Sequence, residues 1–306
     1  MTSAKLFPQK LLPHKEDFYH RCKYAIETVF AYAIYGFFRV LPLKMASDTG
    51  GALLGFIGPR MAKSRRVVLR NLDAAFPEKS AEEKDRIMRG VWRNLGRVIA
   101  EYAHLHEIWK NVEFVGAHHF DDIRQSGQPV IFFGGHLANW EICPISAKMH
   151  GLPIHLVYRR PNNPWVDGLL RHARRSGADG HIEKGMTGAR EIISILKKGE
   201  HVGMLVDQKL NEGMAIPFFG RDAMTAEAVA LFALRIKCKL YPARIERLHG
   251  VHFRFSIYPP LHVENTGDRE KDVRKVLTDI NMLLESWIRE RPEQWLWTHR
   301  RWPKDI

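Results

Sequence analysis

Apolar and polar positions along the chain fall into a repeating order from about residue 128 onward. Gln128-Pro-Val-Ile-Phe-Phe is a short, unbroken apolar run that ends in Gly134-Gly135, as a strand buried on both faces does. A helical stretch over 138–150 follows, then a second strand over 152–158. Helices are expected over 164–176 and 187–198, each followed by glycine (Gly177, Gly199). A third strand covers 202–206 and a further helix 225–237. The runs 239–246 and 251–258 read as paired antiparallel strands, and 272–289 as a long terminal helix. Upstream, Pro77 separates a short helix from a new one. Ser80 with Glu83 three residues on forms a capping box, and Ile87, Val91, Leu95, Val98 and Ile99 follow at helical spacing. Strands alternating with helices imply an α/β fold, with a mixed central sheet flanked by helices.

The first part of the chain differs. Residues 28–38 carry no charge and five aromatic side chains, bracketed by Glu27 and Arg39. The run is short for a bilayer span, which needs roughly 20 apolar residues. The apolar stretch over 50–57 is shorter still. A helix lying in the membrane interface fits this pattern, and a buried core helix is the alternative. Residues 1–80 therefore read as an anchor-and-basic-helix preface, and 81–306 as the α/β domain.

Charge narrows the partners. The 306 residues hold 47 Lys and Arg against 34 Asp and Glu, a net charge of +13 with a pI near 9.7. Such an excess suits nucleic acid, an anionic membrane surface or a phosphorylated substrate. No helix-turn-helix, zinc finger or aromatic-basic RNA-binding strand is present, so nucleic acid is not expected. Five of the cations (Arg60, Lys63, Arg65, Arg66, Arg70) cluster without an acid in residues 60–70. Arg171, Arg174 and Arg175 share a helix face. That face is either solvated or a dock for an acidic partner. Trp287, Trp295, Trp297 and Trp302 lie near Arg300 and Arg301, as an interfacial patch or as core. The three cysteines form no paired motif, and Cys143 reads as a buried spectator. His118-His119 with Asp121-Asp122 reads as a solvated helix face rather than a metal site.

The chemistry concentrates in Gly134-Gly135-His136-Leu-Ala-Asn-Trp-Glu141, directly after a buried strand. On an ideal helix, residues five apart stand about 140° from one another. The glycines, however, put His136 on the turn before the helix, from where its ring can reach back to Glu141. A carboxylate so placed would fix the imidazole tautomer and stabilise the imidazolium. His136 would then serve as general base toward a hydroxyl. Arg159-Arg160 and Asp207-Gln208 follow the next two strands, at the sheet edge where α/β proteins bind ligands. No G-x-S-x-G serine and no H-E-x-x-H pair is present, which argues against an acyl-enzyme or a zincin.

Taken in order, these residues resemble the bacterial lipid A late acyltransferases, within the glycerolipid acyltransferase superfamily. The resemblance rests on Arg70-Asn71-Leu72 with Phe76-Pro77, on His136 and Glu141, and on Tyr158-Arg159 with Asn163-Pro164. It continues through Gly203 and Asp207-Gln208, Pro217-Phe-Phe-Gly220 with Thr225, and Pro292-Glu-Gln-Trp-x-Trp-x-His-Arg-Arg-Trp302. It implies a glycerolipid-acyltransferase-like fold with an N-terminal membrane-anchoring segment. The implied reaction moves a fatty acyl chain from an acyl carrier protein thioester to a 3-hydroxyacyl hydroxyl of a Kdo-linked lipid A precursor. It would take place at the cytoplasmic face of the inner membrane. His136 is the implied base and Glu141 its orienting partner. The implied substrate contacts are Arg159, Asn139, Asp207 and Gln208, with Arg159 binding a phosphate or stabilising developing charge. No metal or organic cofactor is implied. A glycerophosphate or another glycolipid is the alternative acceptor, and a non-catalytic membrane adaptor the alternative outside enzymes.

Overall fold

The computed structural model describes residues 17–303. Two helices come first, α1 (Asp17–Val40) and α2 (Leu43–Ile57), then α3 (Ala62–Ala75) and α4 (Ala81–Glu101). The capping box at Ser80 forms as the sequence implies: the Glu83 N–H donates to Ser80 Oγ at 3.2 Å, and the Ser80 N–H donates to Glu83 at 2.9 Å. After α5 (Leu105–Ile108) come β1 (Val112–Val115), α6 (His118–Ser126), β2 (Val130–Gly134), α7 (Ile142–Met149), β3 (Ile154–Tyr158) and α8 (Pro164–Arg174). The chain continues through β4 (Gly180–Glu183), α9 (Met186–Lys197), β5 (His201–Leu205), β6 (Lys209–Phe218), β7 (Arg221–Thr225) and α10 (Ala228–Ile236). It closes with β8 (Lys239–His249), β9 (His252–Ile257) and α11 (Arg269–Glu290).

Seven strands form one sheet in the order β1-β9-β8-β2-β5-β3-β4, and β6 with β7 forms a separate hairpin. Neighbouring strands are parallel except β8 and β9, whose antiparallel pairing makes the sheet mixed. β2 is buried along its whole length, as a strand covered on both faces must be. It lies between β8 and β5, and Gly134 is in register with Leu205. That register places the turn after β2 beside the turn after β5. One large apolar cluster joins Val68 and Leu72 of α3 with Val202 of β5, Val229 of α10 and Leu284 of α11.

Trp287, Trp295, Trp297 and Trp302 are all buried in that cluster, which assigns all four to the core and removes the interfacial patch. Arg301 is buried with them and donates to the Met224 carbonyl and Thr225 Oγ1. Among the described residues, no helix is long and apolar enough to cross a membrane. α1 and α2 nevertheless expose Val29, Phe30, Phe37, Leu53 and Phe56. Asn163 ties α1 to the sheet domain. Its Oδ1 caps α8 by accepting from the Trp165 N–H, and its Nδ2 donates to the Tyr24 carbonyl at 2.9 Å. Pro164 at the first helical position suits that start. Residues 1–23 carry five Lys and Arg side chains, of which Lys5, Lys10 and Lys15 lie outside the described residues.

Candidate active site

The turn after β2 is not helical. Ala138 sits at φ +45°, and α7 begins only at Ile142, four residues later than the apolar pattern suggests. The reason is non-local. Leu137 forms an antiparallel bridge with Trp295, the Ala138 N–H donates to the Gln294 carbonyl, and the Leu296 N–H donates to the His136 carbonyl. The C-terminal segment thus holds the turn open and fixes the backbone of His136. Gly134 is needed there: a Cβ would meet the Ala243 carbonyl oxygen at 2.5 Å.

His136 Nδ1 lies 2.7 Å from Asp207 Oδ1, and the His136 backbone N–H donates to Asp207 Oδ2 at 2.8 Å. Trp295 Nε1 donates to the same oxygen at 2.7 Å. Burial alone pushes the Asp207 carboxyl up. The charge and hydrogen bonds of His136 more than offset it and hold the group well below the usual carboxylate range. Asp207 is therefore ionised and accepts, which puts the His136 proton on Nδ1. Nε2 is turned away from Asp207, with the Gln208 amide 3.4 Å away.

Glu141 does not hold His136. Its carboxylate accepts two hydrogen bonds from Arg174, at 2.6 and 2.7 Å, one from Trp140 Nε1 at 3.0 Å and one from the Tyr102 hydroxyl. Burial pushes this carboxyl up too, but Arg174 and the neighbouring donors leave it lowered. The imidazole's carboxylate partner, which the sequence leads one to expect in Glu141, is instead Asp207, which follows β5. Trp140 is the remaining link, its ring edge-on to the His136 ring at 5.1 Å.

Asn139 is buried and makes no part of the cavity wall. Its Nδ2 donates to Glu101 Oε2 at 2.8 Å and its Oδ1 accepts from the Glu141 N–H. Glu101 is in turn paired with buried Arg247 at 2.6 Å, which places Asn139 in a buried polar network. The basic face on α8 is also partly spent internally. Arg174 is paired with Glu141, and Arg171 with Asp167 at 3.0 Å.

His136, Gln208 and Arg159 border a cavity of about 600 Å³. Ile154, Leu156, Ile192, Val229 and Phe232 supply apolar walls. Such a cavity accepts a flexible apolar chain with a few polar contacts. Arg159 is exposed, and its guanidinium has no hydrogen bond or ion pair with any described residue. Cys143 also borders the cavity, but burial and the Glu141 charge push its thiol up to about 12, which leaves it un-ionised and inert.

His299 is the functional candidate that local spacing did not single out. It borders the same cavity, and both ring nitrogens are shielded from water without a hydrogen-bond partner. Burial pushes its pKa down to about 4, with the Asp207 charge opposing and His136 and Arg301 assisting. A neutral imidazole then offers one N–H and one lone pair to whatever fills the cavity. The sequence carries His299 inside the Trp-x-Trp-x-His-Arg-Arg-Trp run, which was the available hint. Away from this site, His118, His119 and Asp122 bring ligand atoms within 4.8 Å of one another on α6, with His118 and Asp122 exposed.

The sequence profile of the family described as "Bacterial lipid A biosynthesis acyltransferase" matches residues 13–304. The chain is 25% identical over 274 residues to the lipid A biosynthesis palmitoleoyltransferase of Escherichia coli (strain K12), covering 85% of this chain and 86% of that protein. It is 26% identical over 265 residues to the lipid A biosynthesis lauroyltransferase of the same organism, covering 82% and 83%. With the myristoyltransferase of that organism it shares 23% over 257 residues, covering 80% and 77%.

Proposed function

The chain belongs to the bacterial lipid A biosynthesis acyltransferase family and is an acyltransferase; from that premise we propose that it transfers a fatty acyl group from an acyl carrier protein thioester to a hydroxyl of a phosphorylated lipid A precursor, with His136 as general base. The observation that carries this reading is His136, its Nδ1 tied to ionised Asp207 and its Nε2 left on the wall of an apolar cavity.

In this mechanism the acyl chain occupies the apolar cavity with its thioester carbonyl near His136. The acceptor hydroxyl gives its proton to Nε2 as its oxygen attacks the carbonyl carbon. Asp207 stabilises the imidazolium that forms. Collapse of the tetrahedral intermediate breaks the C–S bond, and the thiolate leaves with the proton held on Nε2. No covalent acyl-enzyme is needed, in keeping with the absence of a G-x-S-x-G serine. Neutral His299 supplies a hydrogen bond to the substrate, and exposed Arg159 an anchor for its negative charge. The apolar side chains exposed on α1 and α2 support contact with the bilayer surface that carries such an acceptor, at the cytoplasmic face of the inner membrane.

The test supplies purified protein with acyl carrier thioesters and, in parallel, a lipid A precursor and a glycerophosphate. Mass spectrometry should find one added acyl group on the lipid A precursor and none in the His136→Ala protein. Acylation of the glycerophosphate alone would replace this acceptor.

A further inference from the structure

A second cavity lies apart from the catalytic one. It occupies about 340 Å³ between α3 and the C-terminal segment. Lys63, Arg66 and Arg70 face it from α3, spaced three and four residues apart on one side of the helix, and Arg300 faces it from across the cleft. Among the described residues, no acidic side chain lines it. Arg70 donates to the Pro303 carbonyl at 3.1 Å. Lys63, Arg66 and Arg300 have no ion pair or hydrogen bond with any described residue. α3 also begins here: Ala62 and Lys63 line the cleft, and the N-cap residue Met61 offers no side-chain cap. Among the described residues, no side chain caps the first N–H groups of this 14-residue helix.

Four cations converging on one concave site at a helix start match the chemistry of a phosphate monoester, which Arg meets with paired hydrogen bonds. The neighbouring residues connect it to the reaction. Asn71 lines the cleft and donates to the carbonyls of Trp297 and His299, at 2.8 and 2.7 Å. His299 borders the catalytic cavity, and Arg300, the next residue, borders the cleft. One segment of chain thus forms a wall of both cavities. We infer that this cleft is a phosphate-binding site that holds the phosphorylated sugar headgroup of the acceptor while its hydroxyl reaches His136. The inference rests on the acceptor class proposed above. The concave shape favours a small anion. A flat bilayer or an acidic carrier protein would need no recess.

The intact protein is compared with Arg66→Ala, Arg300→Ala and the double variant, with Arg66→Gln and Arg300→Gln as bulkier replacements should alanine destabilise the fold. Inorganic pyrophosphate is the direct probe, titrated by calorimetry. The double variant should bind it at least ~10-fold more weakly. In kinetics, KM for a phosphorylated glycolipid acceptor should rise by about tenfold with kcat kept, as loss of uniform binding requires. KM for the dephosphorylated acceptor and for the thioester donor should not move. Unchanged pyrophosphate binding overturns the inference. So does an equal rise in KM for both acceptors, or a rise in KM for the donor, which would give the patch to the carrier protein. Vesicles of phosphatidylglycerol and of phosphatidylcholine separate headgroup capture from bilayer attraction: a defect seen only as weaker binding to the anionic vesicles also overturns it. If wild type acylates no phosphorylated glycolipid but binds pyrophosphate and loses it in the variants, the proposed reaction fails and the phosphate site stands.

Discussion

Asp207 and Glu141 are both fully buried carboxylates beside the catalytic cavity, and both are held ionised, yet they keep different company. Glu141 is matched to a permanent cation, with Arg174 making two hydrogen bonds to it. Asp207 has no Lys or Arg hydrogen-bonded to it among the described residues. Its partners are the His136 ring, the His136 backbone N–H and the Trp295 indole. A carboxylate already neutralised by arginine has little further to give a neighbouring imidazole. One whose only titratable hydrogen-bond partner is that imidazole is stabilised most when the ring becomes charged. The pair of His136 with Asp207, which follows β5, therefore suits the proposed proton transfer. The pair joining Glu141 to α8 is arranged to hold the cavity wall.

This contrast can be broken by substitution. The largest expected effect is on turnover. His136→Ala should lower kcat by roughly 10³–10⁴, and Asp207→Asn by a comparable factor through loss of the correct tautomer. Both should be measured by steady-state acyl transfer, with an unfolding scan as the control. Glu141→Ala should act first on stability. It strands the Arg174 charge, a loss of about 3–5 kcal/mol for a buried pair, or roughly 10 °C in Tm. Replacing both partners, Glu141→Leu with Arg174→Met, should recover much of it. Recovery of stability without recovery of activity would assign Glu141 a positioning role through Trp140.

The smallest effect concerns His299. Its folded pKa, about 4, is below its ordinary value near 6.5, so between those values the unfolded chain binds the extra proton. Stability should be complete above pH 6.5 and fall as the pH drops toward 4, by up to about 3 kcal/mol. His299→Phe should flatten that stretch of the stability curve. An unchanged slope would mean that the ring is charged in the fold.

Much of this arrangement is legible in residue order. The apolar run before Gly134-Gly135 marks β2, and polar residues following successive strands mark the sheet edge where the site lies. His136, Asp207 and Gln208 come together there as that argument requires. What local pattern could not supply is pairing across distance. The strand order sets β5 beside β2 and moves β3 one place out. That order decides which carboxylate reaches the imidazole. The late start of α7 has the same kind of cause, a bridge from Leu137 to Trp295 far along the chain. The hairpin of β6 and β7 was not read from the sequence. Its β6 strand carries no clean alternation and its register shifts between Lys209 and Met214. The residues quoted for the family resemblance gain physical reasons: Asn71 clamps the C-terminal segment, and Asn163 ties α1 to α8.

The pairing itself can be observed by NMR on protein labelled with ¹⁵N at histidine. The His136 Nδ1 proton, shared with a buried carboxylate, should give a strongly downfield resonance that disappears in Asp207→Asn and persists in Glu141→Gln. A resonance that survives Asp207→Asn and is lost in Glu141→Gln would contradict the account.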